Sequence, residues 1–183
     1  MPQPPAPFES VTVLAPEAEP IAVVKQTGLA FADLPALMDA VFTHLMPTLA
    51  AQGVELVGAP LSYYTRLEPS GIDVQVGFPI AEESTAALSE PLQLADTEYT
   101  VELSHLPESR VAAHTYMGGY DGLGGAWQSF LGQVAERGLV PTKHFWEVYV
   151  TEPTADGDPA LNRTDLFIAL DNDEDGEPDD LVA

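Results

Sequence analysis

The sequence has no cysteine, which removes disulfides, zinc-thiolate sites, iron-sulfur clusters and thiol nucleophiles from consideration and fits a reducing compartment. Basic residues are almost as scarce: 6 lysines and arginines against 29 aspartates and glutamates give a formal charge of −23. Phosphate backbones and anionic membranes repel such a chain, which argues against direct nucleic-acid binding. Uninterrupted apolar runs never reach the length of about 20 residues that a bilayer requires. The proline-rich start, Met1 to Pro7, lacks the basic residue and apolar run of a signal peptide. These absences lead to the expectation of a soluble, cytoplasmic protein with no membrane partner. What is present is ample apolar material, 45% of 183 residues, enough for a well-buried core. The acidic surface either serves solubility alone or concentrates cations near a low-dielectric cleft.

Phe145-Trp146-Glu147-Val148-Tyr149-Val150 sets one carboxylate inside an apolar and aromatic run. Side chains alternate along a strand, so Phe145, Glu147 and Tyr149 share one face while Trp146, Val148 and Val150 share the other. Both faces are apolar enough to be covered, and a strand covered on both sides is ordinarily hydrophobic throughout. Taking a carboxylate out of water costs several kcal/mol. Glu147 is therefore wet, protonated, internally paired or matched to a cationic ligand.

Along the chain, Val11–Leu14 reads as a lead-in and Ile21–Val24 as a strand, ended by Gly28. Leu34, Leu37, Met38, Val41, Leu45 and Leu49 recur at helical spacing, with Asp33 as N-cap, Gly53 at the end and Pro47 as a kink or the start of the last turn. Glu55–Pro60 and Leu61–Thr65 read as one strand bent at Gly58 and Pro60; a turn at Pro69–Gly71 then pairs it with Ile72–Ile80. Residues 81–98 carry five acidic residues without periodicity and form a connector. The order then restarts: strands at Thr100–Leu106 and Val111–Tyr116, and a helix capped by Asp121. That helix carries Leu123, Trp127, Phe130, Leu131 and Val134 and closes at Gly138. The strand around Glu147 and a last one, Thr164–Leu170, follow.

The two halves repeat one order, strand-helix-strand-strand, and internal repetition of this kind governs the fold. The reading is α+β: two pseudo-twofold repeats sharing an antiparallel sheet, two long helices and a ligand groove between them. The boundaries are a flexible N-terminus over 1–10, a single domain over 11–170 (repeat one 11–80, connector 81–98, repeat two 99–170) and a disordered acidic tail over 171–183.

Gly58, Pro60 and Tyr64, then Asp73, Val76, Gly77, Phe78 and Pro79, then Gly118-Gly119-Tyr120 with Leu123, and finally Trp146-Glu147-Tyr149 and Thr164 together resemble the GyrI-like small-molecule-binding domain. This is the effector-binding domain of AraC-type and MerR-type regulators, which also occurs alone. The match covers Val11 to Leu170, and no helix-turn-helix accompanies it, so a stand-alone form is expected. The resemblance implies that Glu147 lies at the base of an aromatic pocket for a hydrophobic, cationic small molecule, held for sequestration or sensing. Tyr64, Phe78, Tyr120, Trp146 and Tyr149 are the aromatics brought to Glu147, since ring faces attract a cation by about 0.5 to 2 kcal/mol each. Relatives that hydrolyse cyclopropane-bearing cytotoxins give an alternative in which Glu147 is catalytic with Tyr149 or Tyr64. A gyrase-inhibitor-like interaction with a protein partner is the third class.

Other motifs carry less. Gly118–Gly125 is glycine-rich but lacks dinucleotide spacing and a nucleotide-loop lysine, so it reads as a tight helix entry. Asp171–Gly176 begins like a calcium loop, yet Val182 stands where the closing glutamate belongs. His44, His105, His114 and His144 show no metal spacing. Neither a metal nor a cofactor is expected. Asn162-Arg163-Thr164 matches a glycosylation acceptor without a secretion signal to give it meaning.

Overall fold

The computed structural model describes residues 5–151 and 157–171. In chain order the elements are β1 (Thr12–Leu14), β2 (Glu19–Leu29), α1 (Leu34–Ala51), β3 (Leu61–Glu68), β4 (Gly71–Pro79), β5 (Leu92–Gln93), β6 (Thr100–Leu106), β7 (Val111–Met117), α2 (Leu123–Glu136), β8 (Pro141–Tyr149) and β9 (Arg163–Leu170). All strands join one sheet, ordered β1-β7-β9-β8-β3-β4-β2-β6-β5, in which every pairing is antiparallel. The repeats are thus real: β2-α1-β3-β4 answers β7-α2-β8-β9, and the two halves meet where β3 pairs β8 at the sheet centre. Each half's leading strand is exchanged, for β1 pairs with β7 and β6 pairs with β2.

The helices form where periodicity places them. In α1, Leu37, Val41, Leu45 and Leu49 are fully buried against Val24, Val74, Val76 and Phe78 of the sheet. Burial of such side chains stabilises by roughly 1.5 to 3 kcal/mol each. By length and composition the stretch Phe31–Ala51 could cross a membrane, but this row of leucines and valine is spent on the sheet. Pro47 lies inside a helix that continues to Ala51. In α2, Phe130 and Val134 pack on Ala112, Leu166 and Ile168. Neither Asp33 nor Asp121 caps its helix with a side-chain hydrogen bond. Both helices are entered through a short 3-10 turn instead, Phe31–Asp33 and Tyr120–Gly122. Gly53 and Gly138 follow the two helices with φ of 70°, a conformation that glycine adopts without steric cost.

Three stretches differ from the sequence reading. Glu55–Pro60 is not a strand; only Leu56 bridges, to Ile80, and β3 begins after Pro60. Proline cannot donate to a ladder, and Gly58 is pressed so closely on Pro79 that a Cβ would lie 2.6 Å from its Cγ. The connector holds a 3-10 turn, Glu82–Leu88, and the short β5; its Leu88 and Leu94 close the core under α1. Residues 5–10, within the stretch expected to be flexible, are tied to the sheet. Phe8 exchanges hydrogen bonds with Thr115, and Pro5 O accepts from Arg163 Nη1 at 2.8 Å. The acidic tail and its half calcium loop lie outside the described residues except Asp171, whose N–H donates to Val140 O at 2.8 Å.

Candidate functional site

The central strand pair builds the site by register. On the face covered by the helices, Tyr64 pairs with Phe145, and Phe145 with Ile168. The next row is Ser62, Glu147 and Leu166; beside it Tyr149 pairs with Thr164. A bulge between Tyr64 and Arg66 resets the alternation of β3, so that Arg66 pairs Asp73 and Leu67 pairs Ile72. An inserted residue switches which side chains share a face, and here it delivers Leu67 to the groove while Arg66 forms a two-bond pair with Asp73 on the opposite face.

A cavity of about 380 Å³ opens above these rows. Its floor is Tyr64, Phe145, Glu147 and Ile168, with Leu67 at the hairpin end. Phe31 of the 3-10 turn before α1 and Leu34 at its start form one wall, and Leu123, Gly124, Trp127 and Leu131 of α2 form the other. Phe31 and Leu67, each 51% exposed, frame the mouth. Tyr64 and Phe145 stack at 4.7 Å with an interplanar angle of 10°, and Trp127 meets Phe145 edge-on at 4.9 Å.

Among the described residues Glu147 is the cavity's one carboxylate, 8% exposed. Trp127 Nε1 donates to Oε1 at 2.7 Å, and the Tyr149 hydroxyl donates to Oε2 at 2.6 Å. Burial raises the Glu147 pKa above its ordinary 4.5, and these two hydrogen bonds to the charged form oppose that rise. Burial also raises the phenols of Tyr149, Tyr64 and Tyr120, and the neighbouring carboxylate adds to it in each case. All three are therefore neutral hydrogen-bonding groups at ordinary pH. Ser62 and Thr164, both fully buried, carry hydroxyls with no hydrogen-bond partner. The Ser62 hydroxyl lies near the phenols of Tyr64 and Tyr149 and eases their ionisation, without meeting the geometry of a bond to either.

Of the residues expected at the site, the structure brings together Glu147, Tyr149 and Tyr64. Tyr120 stands at the margin, its ring edge-on to Tyr149 at 5.8 Å and 42% exposed. Phe78 does not reach the cavity: it is core, separated from Tyr149 by Phe42, which touches both rings. Trp146 is on the wrong face. Strand alternation points it away from Glu147, and it stacks on Phe167 at 5.4 Å with Tyr63 edge-on. Trp127 supplies the indole instead, a residue whose helical spacing marked it as core. Among the described residues no group of three or more histidines and acids could hold a metal.

No protein-family model matches the sequence, and no curated protein does. Solved structures do resemble it. The C-terminal domain of EcmrR superposes with a TM-score of 0.68 at 13% identity, over 88% of this chain and 97% of that one. A hydrolase from Listeria innocua gives 0.60 at 14%, over 91% and 94%. SAV2435, solved bound to tetraphenylphosphonium, gives 0.59 at 9%, over 89% and 94%. At these identities the likeness is one of fold, and the fold is the GyrI-like one that the sequence motifs suggested.

Proposed function

We propose that this GyrI-like chain is a small-molecule-binding protein whose groove takes a lipophilic cation, for sequestration or sensing. One observation carries the reading: a single buried carboxylate forms part of the floor of an otherwise apolar and aromatic cavity. An ionised glutamate there is costly when alone and is offset by a positive charge, while the rings and leucines receive the ligand's apolar surface. The tetraphenylphosphonium held by SAV2435, a protein of the same fold, is a ligand of that chemistry. Catalysis has less support. A general base must face a water, with a second polar group on the leaving side, and here both oxygens of Glu147 already accept hydrogen bonds while the walls supply Leu34, Leu123 and Leu131. The test is titration with tetraphenylphosphonium, followed by calorimetry and by tryptophan fluorescence, to which Trp127 and Trp146 both contribute. Binding by the wild type that weakens at least tenfold in Glu147→Gln is expected. Equal affinity of the two proteins for a cationic panel would sink the reading. Turnover of a cyclopropane-bearing compound that vanishes in Glu147→Gln would replace it with the hydrolase.

A further inference from the structure

We infer that the groove selects cations that carry no N–H, namely quaternary ammonium, phosphonium or sulfonium ions and N-alkylated heteroaromatics, over protonated amines. The inference rests on the cation reading above and adds to it what the charge is attached to. Both oxygens of Glu147 accept short hydrogen bonds, at 2.7 Å from Trp127 and 2.6 Å from Tyr149. The donors are held in place by neighbouring rings, Trp127 by Phe130 and Phe145, Tyr149 by Phe42 and Tyr120. The protein itself thus provides the hydrogen bonds that water or an ammonium would otherwise give an ionised carboxylate. Each oxygen keeps one further lone pair, but the greater need is for charge, and a quaternary centre supplies it through space.

A protonated amine demands more of the site. Each N–H gives up a water acceptor on entry and loses affinity if it finds no replacement. Among the described residues the polar side chains at the cavity beside Glu147 are the Tyr64 hydroxyl and the Trp127 indole, and an indole N–H donates without accepting. Two hydroxyls that could accept, Ser62 and Thr164, are fully buried and take no part in the lining. An ammonium therefore finds acceptors only on the floor, at the second lone pairs of Glu147 beside Trp127 and Tyr149 and at the Tyr64 hydroxyl, and its remaining hydrogens meet Leu34, Leu123, Leu131 or ring faces. A quaternary centre instead turns methyl, methylene or aryl surface toward those same groups.

The experiment is a calorimetric series: biphenylmethyl-trimethylammonium and its dimethyl, monomethyl and unsubstituted ammonium counterparts, at about pH 8 where each amine remains charged. Wild type, Trp127→Phe and Tyr149→Phe are titrated alike. For the wild type, affinity should fall about tenfold or more from the trimethylammonium to the unsubstituted ammonium, whose three N–H groups leave at least one turned to the apolar walls, the loss expected of one unmet buried donor. In either variant a freed oxygen should make that fall several-fold smaller. Dividing one ratio by the other cancels the apolar area lost with each methyl. Affinity that is flat across the series in the wild type, or that rises with the number of N–H groups, overturns the inference, and so does a fall of equal size in both variants. Should one variant fail to fold, the other and the wild-type series still decide. If no charged member binds while neutral 4-methylbiphenyl does, the cation reading itself falls and takes this inference with it.

Discussion

Glu147 binds its proton more tightly in the folded chain than in the unfolded one, because burial outweighs the two hydrogen bonds that favour its anion. Stability from this group is fully present below the unfolded value of 4.5 and is lost as pH rises through the raised native value. Glu147→Gln should therefore match or fall slightly below wild type at low pH and exceed it in melting temperature at alkaline pH. Thermal melts across the range check this. A gap that closes with rising pH would show the carboxylate to be stabilised in the fold. Wild-type affinity for a cation should rise over the same window and then level, while that of the glutamine variant stays flat. The central acid was legible because alternation along one strand sets it among aromatics. Trp127 was not, since helical spacing says that a residue faces the sheet without saying which sheet atom it meets. Leu67 escaped for a different reason: the bulge at Thr65 changes phase in β3, and no residue there announces it.

At the scale of elements, α2 carries glycines that its packing does not require. Gly132 sits in the helix with open space where a Cβ would project, and it is absent from the cavity lining. Alanine loses less backbone freedom on folding and favours the helix by about 1 kcal/mol, so Gly132→Ala should raise the melting temperature by about 2 to 4 °C. Cation affinity should not change. A drop in melting temperature would mean that something else packs on this face. The β3-β4 hairpin offers a pH test of its own. Asp73 accepts two bonds from Arg66 and one from Gly28 N, and the Arg66 guanidinium first of all holds its pKa down to about 2, from an ordinary 3.8. Its contribution is present above pH 3.8 and lost as pH falls toward about 2. Asp73→Asn should flatten the acid side of the stability curve there, and an unchanged slope would assign the acid sensitivity elsewhere. Strands and helices were legible from period and punctuation, to within a few residues at most ends. Helix entry was not: Asp33 stands at the N-cap and Asp121 one residue before it, but each lies in a 3-10 turn that leads into the helix without a side-chain cap. The connector escaped because 3-10 turns have too short a period to leave a signal.

For the whole molecule, the charge of −23 makes encounter with a cation a long-range event. The association rate for a phosphonium ligand should fall by several-fold between about 10 and 150 mM salt while the dissociation rate moves little, as stopped-flow fluorescence would show. A neutral ligand with the same salt dependence would remove electrostatic attraction as the cause. The exchange of leading strands bears on how the chain comes apart. Thr12 pairs with Ala113 and Pro20 with His105, so each half is completed by residues that belong to the other. Neither half can melt without withdrawing a strand from its twin, and both transitions merge into one. A chemical denaturation curve should accordingly be a single sigmoid, superimposable by far-ultraviolet circular dichroism and by tryptophan emission, and two resolved steps would contradict it. Nor would proteolytic nicking within residues 89–91 liberate two fragments. The cut pieces should stay together through native conditions and separate only in denaturant, like two clasped hands whose wrists have been untied.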